Sequence, residues 1–181
     1  MKLSHVSLAA LMAAATLSFG ANAAAYEGNS GKVTFHGQVV DSPCNLAPGQ
    51  DGMDVKVDFG QLSQSQLNKG VTTAQTFELK LQNCGLTDST GTTKTAEITF
   101  NSADQISGKN LLKTNGLATG LATGLAIGIN DITFGTPAAI AGLVDGDNTL
   151  VYTAVAQKAD IATDVTPGDF SASTNFLISY K

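Results

Sequence analysis

Few residues in this chain are of the types that do chemistry. Two cysteines, Cys44 and Cys84, stand forty positions apart. Of the two histidines, His5 lies near the start and only His36 falls beyond the first 23 residues. Nucleophilic catalysis needs a base beside the nucleophile and a group to orient that base. One histidine on the polar side of an alternating stretch supplies no such set, and it reads as a solvated strand residue. Asp145 and Asp147 occur in Asp145-Gly-Asp-Asn148. A calcium loop needs more oxygens at defined positions, so this string reads as a turn. Nothing singles out two of the fifteen acids as a glycosidase pair. The expectation is a protein that is not an enzyme and has no catalytic, metal or cofactor residues.

The cysteines have a second reading that depends on where the chain goes. Lys2 gives a short basic start, Val6 to Phe19 is almost wholly apolar, and Ala21-Asn22-Ala23 has small residues at both specificity positions of a signal-peptidase site. This pattern predicts a secretory signal over 1–23, cleaved after Ala23. The apolar run is short for a helix that must span a bilayer with about 20 residues. The expected mature chain is one domain, long enough to bury a core, and not membrane-spanning. An even cysteine count in an exported chain reads as one disulfide, Cys44–Cys84. A redox or metal pair would call for close spacing.

Without Lys2, nine lysines stand against fifteen acids, and the sequence has no arginine and no tryptophan. Phosphate recognition favours arginine, and nucleic-acid binders concentrate positive charge. This composition argues against nucleic acid and anionic membranes as partners.

The elements that would position any functional residue are strands. The last stretch, Asp169 to Lys181, puts Phe170, Ala172, Thr174, Phe176, Ile178 and Tyr180 on one face and mostly polar residues on the other. No hairpin partner is expected downstream, and an apolar strand at an open edge must find another segment to pair with. Val33, Phe35 and Val39 alternate with Thr34, His36 and Gln38 in a second strand signal, and Gly37 leaves a gap in its apolar ridge. Further strands are predicted over Met53–Phe59, Phe77–Gln82, Ala96–Phe100, Leu125–Ile129 and Thr149–Ala156. One short helical turn is expected within 61–70. Residues 86–94 and 101–116 read as loops. Leu117 to Gly128 is a tandem Leu-Ala-Thr-Gly repeat, with too few copies for a solenoid. Short alternating strands broken by Gly, Asn, Asp and Pro predict an all-β antiparallel sandwich of about six strands.

Two motifs then carry a resemblance. Gly31-Lys-Val-Thr-Phe-His-Gly-Gln-Val-Val-Asp-Ser-Pro-Cys44 and Asp58-Phe-Gly-Gln-Leu62 resemble the start of mature pilins assembled by the chaperone–usher route. Gly168 and Tyr180 match the glycine and the penultimate tyrosine that such pilins carry near their ends. The likeness is greatest to the rod-forming major subunits of P pili and type 1 pili. The tandem repeat departs from the pattern. The resemblance implies an incomplete immunoglobulin-like β-sandwich that lacks its C-terminal seventh strand and is completed by donor-strand exchange. It implies three parts: the signal 1–23, an N-terminal extension 24–40 with the donor strand, and a pilin domain 41–181. Val33, Phe35, Gly37 and Val39 would form the donor strand. Gly168, Phe170, Phe176, Ile178 and Tyr180 would line the acceptor groove and chaperone-binding strand. The implied partners are a periplasmic chaperone, an outer-membrane usher, further copies of the chain and other fimbrial subunits. The implied location is a surface fimbria reached through the periplasm. The implied role is a structural subunit of an adhesive fimbria, the major rod subunit first. A minor adaptor or tip-proximal subunit is the alternative, and a carbohydrate-binding adhesin comes after it.

Overall fold

The computed structural model describes Asn29, residues 31–114 and residues 124–181. The expected signal, 1–23, and positions 117–123 of the repeat lie outside these residues. The chain divides into two units, Met1–Val39 and Val40–Lys181.

In the first unit the described residues carry no helix or strand, and residues 31–39 are all exposed. The strand predicted over Val33–Val39 is therefore not formed. A strand is held by hydrogen bonds to a neighbour, and alternation alone supplies none.

The second unit holds eight strands and one short helix among the described residues: β1 (Asn45–Leu46), α1 (Gln64–Asn68), β2 (Thr73–Cys84), β3 (Ala96–Asn101), β4 (Leu112–Lys113), β5 (Leu125–Ile129), β6 (Ala138–Ile140), β7 (Gly146–Lys158) and β8 (Asn175–Tyr180). They form two antiparallel sheets, ordered β1-β2-β7-β5-β4 and β6-β3-β8. The longest ladder joins β2 to β7. It sets Phe77 opposite Tyr152 and Leu79 opposite Leu150, so the inward residues of both strands fall on one face. In the other sheet Ile98 faces Ile178 and Phe100 faces Phe176. Phe100 joins the layers: its ring meets Phe77 at 6.5 Å and Tyr152 at 5.4 Å, edge to face in both cases.

Cys44 and Cys84 are bonded. The bridge ties the residue before β1 to the last residue of β2. Gly85 N–H donates to the Pro43 carbonyl beside it at 2.8 Å. Asp145 secures the next turn, because its Oδ1 accepts the N–H of Leu86 at 2.6 Å and of Thr87 at 3.2 Å. These bonds hold its carboxyl below the usual carboxylate range, the Leu86 N–H most of all. Asp147 accepts from Asn83 N–H at 3.0 Å. Both carboxylates of the Asp-Gly-Asp-Asn string thus serve backbone donors at the entry to β7.

The structure corrects the expected strands in three ways. Residues 53–59 keep their alternation, with Val55, Val57 and Phe59 half-buried, but belong to no ladder. The final strand pairs only from Asn175 onward. Strands β1, β4 and β6 were not expected, being two or three residues long and too short to show a period. The helical turn anticipated within 61–70 is α1.

Candidate functional site

The site is a groove, and its two walls come from the segments whose pairing differs from expectation. The first wall is 53–59. Asp58 Oδ1 accepts the N–H of Gly60 at 2.7 Å, a local turn that carboxylates readily make. Gly60 has φ +60°, open to glycine at little steric cost. Phe59 beside it is half-buried. The second wall is 170–180. Gly168, at φ +146°, turns the chain into it. From Phe170 to Tyr180 every second residue is half-buried and every intervening one exposed.

β8 pairs with β3 on one side, and among the described residues no strand pairs with its other side. Side chains hold the lead-in to β8 against the end of β3: Ser102 Oγ donates to the Ser173 carbonyl, and Thr174 Oγ1 to the Asn101 carbonyl, both at 3.0 Å. At the far end Lys181 and Thr95 exchange backbone hydrogen bonds at 2.9 Å. The last strand is firmly attached along one edge while its opposite edge faces the groove.

Between the walls lie two compartments of about 700 and 640 Å³. The larger has a floor of core side chains from both sheets, including Phe77, Leu79, Phe100 and Ile129. The smaller is closed by Leu67, Leu125 and Val165. A cleft floored by core side chains between two ladder-free segments is the arrangement left when a sandwich lacks one strand. Asp54 and Lys56 lie along the larger compartment, and Asp58 and Asp169 along the smaller. Burial raises the pKa of the Tyr180 hydroxyl, against the opposing effect of a hydrogen bond to Ser42. Among the described residues no cluster of three His, Cys, Asp or Glu could hold a metal ion.

Comparison with known proteins decides what this groove belongs to. The family model "Fimbrial protein" matches residues 33–181. Fimbria A protein of Serratia marcescens is 36% identical, with 100% of both chains covered. The Pap fimbrial major pilin protein of Escherichia coli is 37% identical, over 96% of this chain and 97% of that one. Among solved structures, a chaperone–usher pilus studied for rod uncoiling superposes with a TM-score of 0.73 at 35% identity, over 84% of this chain and 96% of that one. The P pilus rod subunit PapA superposes at 0.66 and 32% identity, over 77% and 100%. The chain belongs to the fimbrial protein family. It is a structural pilin with an immunoglobulin-like sandwich, and not an enzyme.

In this pilin Gly168, Phe170, Phe176, Ile178 and Tyr180 lie along one wall. Of these, Gly168, Phe170 and Phe176 line the compartments. Ile178 and Tyr180 continue the same inward face. Val33, Phe35 and Val39 are 75%, 90% and 100% exposed, an apolar ridge that nothing in its own unit covers. A Cβ at Gly37 would meet no atom within 4 Å. Sequence reasoning missed the opposite wall. Residues 53–59 alternate as a paired strand would, and Asp58-Phe-Gly-Gln-Leu62 carries only a family likeness, so neither signals an unpaired wall.

Proposed function

We propose that this pilin is the major rod subunit of a surface fimbria and polymerises head-to-tail by donor-strand complementation. The observation that carries the reading is a groove floored by core side chains between the unpaired segment 53–59 and the free edge of β8, on a chain whose leading segment exposes Val33, Phe35 and Val39. Val33, Phe35 and Val39 of one subunit fill the groove of the next, and backbone hydrogen bonds complete the sheet at β8. This is β-strand addition, of which pilin donor-strand complementation is a known instance. Each such side chain buried contributes about 1.5–3 kcal/mol. Ridge and groove are different surfaces, so the contact is heterologous and propagates as an open filament. The likeness to the Pap major pilin and to the P pilus rod subunit supports the rod role.

In this reading residues 1–23 direct export, 24–40 form the donor extension and 41–181 the acceptor domain. A periplasmic chaperone covers the groove before assembly, and an outer-membrane usher exchanges it for the next subunit. Adding a peptide of residues 31–40 to the purified mature chain tests the groove. A ligand that binds only the folded state stabilises it by about 2.7 kcal/mol at a hundredfold excess over Kd, so the melting temperature should rise by several degrees. An unchanged melting curve at saturating peptide would reject the reading. Electron microscopy of cells lacking the subunit tests the rod role: whole filaments should be lost, and a loss confined to filament tips would contradict it.

A further inference from the structure

Both groove walls end beside the same short helix. The first wall, 53–59, runs through Gly60 into α1. The second begins after Val165, which is 2% exposed and closes the smaller compartment together with Leu67 of α1. Gln64 and Asn68 stand about one helical turn apart, on one face of α1, and both reach Val165. Asn68 Oδ1 accepts the Val165 N–H at 2.7 Å, and Asn68 Nδ2 donates to the Val165 carbonyl at 3.2 Å. Gln64 Nε2 donates to the same carbonyl at 2.9 Å. An asparagine amide carries both an acceptor and a donor. Asn68 therefore serves both backbone groups of Val165, as a neighbouring strand would.

The loop before Val165 is braced from another direction. Lys158 Nζ donates to the Ile161 carbonyl at 3.1 Å and to Asp164 Oδ1 at 2.8 Å. After Val165, residues 166–169 are exposed, and no ladder holds the chain until Asn175. The start of the second wall thus takes its position from Val165, and Val165 is held by α1. The same helix follows the first wall by only a few residues. One tie links the end of one wall to the start of the other.

We propose that Asn68, assisted by Gln64, is the tie that fixes the separation of the two walls in an unfilled subunit. The groove is then organised before a strand arrives. This rests on the donor-strand reading above and adds the residues that keep the empty groove ready. Both are positioning residues. Without the tie, the Val165 N–H and carbonyl lose their partners, and the side chains around the smaller compartment, Phe59, Leu67, Leu125 and Phe170, are free to close on one another. A groove that is competent for only part of the time binds more weakly by that fraction. The loss falls on capture, because a strand already seated holds the walls itself. Loss of an ordinary contact falls mainly on dissociation instead.

The test measures association and dissociation rates of a peptide of residues 31–40 with the full mature chain, held dilute and monomeric. The acceptors are the wild-type chain, Asn68→Ala, Asn68→Asp and Gln64→Ala, each checked for intact β structure by circular dichroism. Asn68→Ala should slow association at least tenfold and change dissociation less than twofold. Asn68→Asp keeps the acceptor for the Val165 N–H and loses the donor, so its association should slow by an intermediate factor, at least threefold. Gln64→Ala leaves Asn68 in place and should slow association less than threefold. Association of Asn68→Ala at the wild-type rate overturns the proposal, as does a loss confined to dissociation. If Asn68→Ala does not keep its β structure, Asn68→Asp decides, and a wild-type association rate there overturns the proposal. If neither variant folds, the two residues serve the fold and not the readiness of the groove, and the proposal is overturned. Failure of the peptide to bind the wild-type chain would instead overturn the donor-strand reading itself.

Discussion

At the scale of single residues, the side chains that hold this fold are few and mostly easy to separate from those of the groove. Asp145 is a case where the sign of a pH effect can be worked out. Its carboxylate is favoured in the folded state by the Leu86 and Thr87 donors, so its pKa is lowered on folding. A depressed carboxyl stabilises the fold above its unfolded value, near ~3.9, and that contribution is lost as pH falls through the folded value. Asp145→Asn keeps an acceptor and removes the charge. The variant should melt below the wild type at pH 7, and the two curves should converge as pH falls below that unfolded value. A constant gap down to pH 2 would show that charge is not the cause. Phe100 answers a different question. It is 1% exposed and touches rings of both sheets. Phe100→Ala should cost about 3–5 kcal/mol in denaturant unfolding. A loss under 1 kcal/mol would mean that the site collapses around the deletion.

At the scale of elements, the disulfide is the clearest prediction. Cys44 and Cys84 enclose a loop with a sequence separation of 40, for which chain entropy gives about 4 kcal/mol. Cys44→Ala/Cys84→Ala should lose stability of that order in chemical unfolding, and labelling of the unreduced, denatured wild type should detect no thiol. The elements also show what could be read in advance. β2, β3 and β7 were legible because each alternates over six residues or more and the inward side chains are large. β5 was legible too, over the expected Leu125–Ile129, although its burial was not. All five of its residues are buried, since Leu111 from the 101–114 loop covers Gly128 on the outer face, and period-2 alternation cannot report that. The two groove walls could not be told from paired strands, because burial alternates along 55–59 and 170–174 as it does along β8. Alternation reports which face is buried. It does not report whether the backbone has a neighbour. The packing of Phe59 against Phe170 joins positions 111 residues apart in sequence, which no local pattern encodes.

At the scale of the whole molecule, the donor-strand reading assigns giving and receiving to different units of the chain, which makes folding and assembly separately testable. Gly37 lies among the exposed residues 31–39 of the first unit, and the residues that line the groove belong to the second. Replacing Gly37 by asparagine therefore adds a side chain in open space in its own subunit, with no effect on its own core. In the proposed donor-strand exchange the cost would appear only when the ridge enters a neighbour's groove. There the variant meets overpacking of about 1–3 kcal/mol and a buried amide without assured partners, about 1–3 kcal/mol more. Gly37→Asn should fold, melt within a degree or two of the wild type and form normal complexes with the proposed chaperone. It should fail to donate, so chaperone–subunit complexes accumulate and long filaments do not form. If Gly37 were instead an ordinary strand glycine needed for its own fold, stability and chaperone complexes would fall together. Co-purification with the chaperone, followed by a polymerisation assay, distinguishes the two. Wild-type polymerisation by Gly37→Asn would remove this glycine from the donor role.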